Sequence, residues 1–157
     1  GLIAKVKSER TKLFGSSRYK DGKIMPEAVQ LQRELAKVGL ELTLVDMTAG
    51  GDIDATVFGG IERADTFVVF GTADYGDDTG NPACTYYESK FALSYGKRII
   101  LLRMIPYEVQ FEELQARQLF GVNKLSLEWI QGTKMPSSLV RDIQKAVDDP
   151  STAPRSR

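Results

Sequence analysis

Thr66-Phe67-Val68-Val69-Phe70 (TFVVF) is a run of strand-forming residues with no polar face. A strand with one face in water alternates apolar and polar side chains. This one does not, so both its faces are expected to be covered, as in a parallel sheet. Outward from it, Arg98 to Arg103 (RIILLR) repeats the pattern, and Lys12 to Ser16 (KLFGS) is a shorter version. Leu40 to Val45 (LELTLV) alternates instead, which predicts a half-buried strand near a sheet edge. The segments between these strands carry helical spacing. Pro26 suits a first helical position. Ala28, Leu31, Leu35 and Val38 follow on one face, and Gly39 fits the place just past the end. Ile53 to Arg63 reads as a helix weakened by Gly59 and Gly60, and Tyr86 to Tyr95 as a helix ended by Gly96. A helix near Tyr107 to Leu119, a strand near Lys124 to Ile130 and a helix from Ser137 to Val147 follow. Strands alternating with helices predict an α/β protein: a flavodoxin-like three-layer sandwich, about five parallel strands with helices on both faces.

The 157 residues are expected to form one domain over residues 1–147. Residues 148–157 (DDPSTAPRSR) hold two prolines and no large apolar side chain, and read as a disordered tail or linker. Lys plus Arg and Asp plus Glu are both 21, so the net charge is zero and no nucleic-acid partner is expected from bulk charge. No apolar run is long enough for a membrane span. A single cysteine excludes an internal disulfide and suits a reducing, cytoplasmic setting. The absence of histidine excludes Ser-His-Asp and Cys-His nucleophiles, His-ligated zinc and a histidine general base. Any chemistry therefore falls to carboxylates, hydroxyls, Lys, Arg or a bound cofactor.

In such sheets ligands bind beyond the carboxyl ends of the strands. Those ends are the loops Gly15–Asp21, Met47–Asp52 and Gly71–Ala83, and the segment after Arg103. In the first loop Gly15, Ser16 and Ser17 are small enough for a ligand to approach the backbone, and Arg18 and Lys20 suit phosphate. Neither the P-loop spacing nor GxGxxG is present. In the second, Asp52 is placed to cap the helix beginning at Ile53. The third runs past Tyr75 to Cys84-Thr85-Tyr86-Tyr87-Glu88, where Glu88 sits in the first turns of a helix and its macrodipole favours the ionised carboxylate. The loop aspartates lack EF-hand spacing, so no metal is expected. Trp129 is expected to pack, Cys84 to be a small, partly buried thiol, and Glu108, Glu112 and Glu113 to form a solvated helix face.

Over residues 12–147 these pieces, in order, resemble a TIR (Toll/interleukin-1 receptor homology) domain. Phe14-Gly15-Ser16-Ser17-Arg18 with Asp21 is similar to the family's first strand and loop. Gly39 to Asp46 is similar to its second strand, and Gly51-Asp52-Ile53 to the end of its BB loop. Ile61 to Thr72 with Tyr75 is similar to its third strand. The closest likeness is Glu88 followed by Phe91 to Lys97 and then Ile99-Ile100. Cys84 stands where the family often has tryptophan, Ser17 where it has tyrosine, and Met47 to Gly51 is a little short for the BB loop.

The resemblance implies an enzyme that cleaves the nicotinamide–ribose bond of NAD⁺, with Glu88 as the catalytic residue. NAD⁺ would be substrate, and no prosthetic group is implied. Nicotinamide is already a cationic leaving group, so a carboxylate near the ribose suffices to stabilise an oxocarbenium-like transition state. By the same resemblance Arg18 and Lys20 face the pyrophosphate, Phe14 and Tyr75 line the base or nicotinamide pocket, and Cys84 and Tyr87 stand in or beside the aromatic position next to Glu88. It further implies self-association or association with other TIR domains, in immune or cell-death signalling. Two other classes are consistent with the same residues. One is a non-enzymatic TIR adaptor, which has no need of Glu88. The other is a nucleoside deoxyribosyltransferase-like enzyme, which breaks a different N-glycosidic bond on a similar small fold.

Overall fold

A computed structural model describes residues 12–17, 23–44, 63–75, 98–121 and 125–149. Of the helix expected over Ile53–Arg63 only Arg63, which is helical, is described; the helix expected over 86–95 lies outside the described residues, as does the tail from residue 150 onward. Five strands form one sheet: β1 (Lys12–Ser16), β2 (Glu41–Thr43), β3 (Thr66–Gly71), β4 (Arg98–Arg103) and β5 (Leu125–Glu128). Their order is β2-β1-β3-β4-β5 and every pairing is parallel. This is the flavodoxin-like order, in which the winding direction reverses between β1 and β3. The helices are α1 (Pro26–Ala36), α2 (Leu114–Gly121) and α3 (Leu139–Asp148). Among the described residues no helix is long and apolar enough to cross a membrane.

The period-two alternation of the strands divides the interior into two cores. Leu13, Val68, Phe70, Ile100 and Leu102 face α1 and α3, and meet Leu31, Leu35, Leu139 and Ile143. Phe14, Phe67, Val69, Ile99 and Leu101 point the other way, toward Phe111 and Ala116. All of β3 is buried, because it has a neighbour on each side and a layer on each face. On the edge strand β2 only Leu42 points inward, and Glu41 and Thr43 are exposed, which explains the alternation in the sequence.

Several expected boundaries move. The first helix ends at Ala36, so Val38 is 41% exposed and is not on the buried stripe. Gly39 takes φ 82° and donates to the Ala36 carbonyl, while the Leu40 N–H reaches back to Leu35. This is a Schellman turn: it swings Val38 outward and puts Leu40 against the core in its place. The helix expected from Tyr107 begins only at Leu114. Glu108, Glu112 and Glu113 consequently lie on turns and bends rather than on a helix face. Trp129 is buried as expected, but just past β5; its indole N–H donates to the Thr133 carbonyl at 2.9 Å. The last helix includes Asp148, one residue into the stretch read as tail.

Candidate functional site at the carboxyl edge of β1 and β3

In parallel α/β sheets ligands bind in the crevice beyond the carboxyl ends of the strands where the winding reverses, which here is between β1 and β3. The two chain segments that emerge there are Ser16-Ser17 and Thr72 to Tyr75. After β3 the chain turns at once: the Thr72 N–H donates to Phe70, and the Tyr75 N–H donates to the Thr72 carbonyl at 3.1 Å. The Thr72 hydroxyl donates to Asp74 Oδ1 at 2.8 Å, which fixes the turn. Tyr75 thereby comes back over the sheet, its ring in the same core as Phe14 and Phe67. Its hydroxyl and Ser16 Oγ lie 2.6 Å apart in a buried hydrogen bond that joins the two strand ends.

Ser17 is the next residue, and its side chain is unanswered. It is 3% exposed and, among the described residues, its Oγ has no hydrogen-bond partner. A buried hydroxyl left without a partner costs about 1–3 kcal/mol, so such groups in folded chains ask for an explanation.

The described candidates divide by environment. Phe14, expected to line a base or nicotinamide pocket, is fully buried and stacked on Phe67, centroids 5.9 Å apart and planes 8° from parallel. It is a core residue, because its position on β1 alternates into the sheet face. Gly15 has a packing cause for its size: a Cβ there would lie 2.7 Å from Leu44 Cδ2 and 3.2 Å from the Phe70 ring. Tyr75 is also fully buried, so what it brings to the strand ends is its hydroxyl, already bonded to Ser16. Ser16 and Ser17 stand at the crevice. Arg18, Lys20, Asp52, Cys84, Tyr87 and Glu88 lie outside the described residues.

Two arginines that sequence reasoning left unassigned organise the next strand end. Arg103, the last residue of β4, donates from Nη2 to the carbonyls of Pro106, Tyr107 and Val109. Arg117 on α2 donates from Nε to Phe111 and from Nη2 to Glu112. These five carbonyls are held by guanidinium groups, and the segment runs as turns until Leu114. The only sequence signal was that the segment follows a buried strand.

No protein-family model and no curated protein matches the chain. Among solved structures it is similar to a CMP N-glycosidase of Clostridium botulinum, BcmB, at 20% identity and a TM-score of 0.47, covering 85% of this chain and 97% of that one. At that level the likeness carries no argument about function, and the α/β flavodoxin-like architecture rests on the strand order itself.

Proposed function

We propose that the chain is a TIR-like NAD⁺ glycohydrolase or cyclase, with its site in the crevice beyond β1 and β3. The observation that carries a ligand there is the buried Ser17 hydroxyl, without a partner among the described residues, at the point where the winding reverses. A ribose hydroxyl or phosphate oxygen in the crevice would answer it. The reaction itself rests on the resemblance of the segment from Glu88 to Ile100 to NAD-cleaving TIR domains.

In this reading the Glu88 carboxylate stands beside the nicotinamide ribose. As the C–N bond breaks, the electron pair leaves with nicotinamide and positive charge develops on the ribose. The fixed negative charge of Glu88 stabilises that charge, and water or a second ring atom of the substrate then attacks the anomeric carbon. The products are nicotinamide and ADP-ribose, or a cyclic isomer. Arg18 and Lys20 would hold the pyrophosphate. Self-association, a cytoplasmic setting and a role in immune or cell-death signalling belong to the same reading.

The test is to incubate the concentrated protein with NAD⁺ and follow nicotinamide by chromatography, with Glu88→Ala alongside. Release by the unmodified chain and its loss in the variant is the expected result. No release, even from artificially clustered protein, points to the adaptor class. Release of a base from nucleosides or nucleotides, with NAD⁺ untouched, points to the deoxyribosyltransferase-like class.

A further inference from the structure

Beside the carboxyl end of β4 lies an open surface depression of about 530 Å³, bordered by Arg103, Tyr107, Glu108, Phe111, Arg117 and Phe120 among others. Its walls have an unusual electrostatic arrangement. Arg103 and Arg117 are both fixed in place, but by backbone carbonyls, which carry no net charge. Neither guanidinium makes an ion pair among the described residues, although Glu108 is at hand on the same wall. Among the described lining residues two positive charges stand beside one carboxylate, Glu108, while Glu128, the register partner of Arg103, and Glu112 and Glu113 lie just outside the lining. The Arg103 Nε is buried and has no acceptor among the described residues.

The second ingredient is aromatic. The Arg103 guanidinium lies over the Phe111 ring, 4.9 Å from its centroid, and 6.0 Å from that of Tyr107. Tyr107 is 87% exposed, an uncommon position for a large ring. Its backbone carbonyl is held by Arg103, so the residue is anchored while the ring remains open to a partner. Guanidinium groups that hold only backbone carbonyls keep donors for an anion, and an anchored, exposed ring selects a flat surface to stack upon.

We propose that this depression is a second ligand site, for a small anion that carries an aromatic ring, of the nucleoside monophosphate class. It does not depend on the nicotinamide reading and uses none of the residues of the β1/β3 crevice.

The probe is AMP, titrated into the full chain while backbone amide resonances are followed by NMR. Saturable shifts are expected at Val109, Phe111 and Arg117. Tyr107→Ala should weaken binding about tenfold, the scale of losing one stacked ring, and Arg117→Gln should weaken it as well. Tyr107 is exposed enough for its truncation to leave the fold intact. Ser17→Ala should leave AMP affinity at these resonances unchanged. The proposal is overturned by the absence of saturable shifts there, by equal affinity in Tyr107→Ala, or by adenosine binding as tightly as AMP.

Discussion

Ser17 carries the most direct residue-scale prediction. Its hydroxyl is buried without a partner among the described residues, so removing it should relieve a desolvation cost. Ser17→Ala is expected to raise unfolding stability by about 1 kcal/mol in urea titrations, while raising the KM for NAD⁺ if the crevice is the site. A loss of stability on that substitution would mean that the hydroxyl has a partner in the folded chain. The glycines give a second comparison at this scale. A Cβ on Gly71 would collide with the Phe120 ring and come within 3.0 Å of the Leu102 carbonyl, neither of which can easily give way. One on Gly15 meets the tip of Leu44 first, a flexible end. Gly71→Ala should therefore cost about 1–3 kcal/mol, and Gly15→Ala distinctly less, both read from thermal unfolding.

The elements were unequally legible, for reasons that can be named. β1 and β4 have the bounds their apolar runs predict, and β3 gains only Gly71, because a strand covered on both faces writes its burial into every residue. β2 was readable as an edge strand because water reaches its alternate side chains. The segment from Pro106 to Glu113 was not. Its composition permits a helix, yet its carbonyls are drawn to Arg103 and Arg117. Side chain to backbone bonds of that kind leave no periodicity to read. Arg103→Lys, which keeps the charge but not the reach to three carbonyls, should speed limited proteolysis between Tyr107 and Glu113 with little change elsewhere. The crevice shows the same limit. Ser16 and Tyr75 are 59 residues apart, and the resemblance put both near the ligand. Only the three-dimensional turn after β3 shows that they bond to each other and that the ring of Tyr75 belongs to the core.

At the scale of the molecule, a parallel sheet sends every strand's carboxyl end to one side, so the crevice and the depression lie on the same rim. Trp129 closes the core under α3 just beyond that rim, and Trp129→Ala should cost about 3–5 kcal/mol in unfolding free energy. Strand β3 lies at the centre of this arrangement, hydrogen-bonded to β1 on one side and β4 on the other, with a hydrophobic layer above and below. A deuteron can replace the amide protons of Val68 and Val69 only when the whole sheet comes apart. Their exchange is then a clock for global unfolding built into the chain. It requires no knowledge of what the protein turns over. Any compound that binds the folded form at about 100 times its dissociation constant should slow that clock about 100-fold, so the centre of the sheet can be used to screen for occupants of its rim.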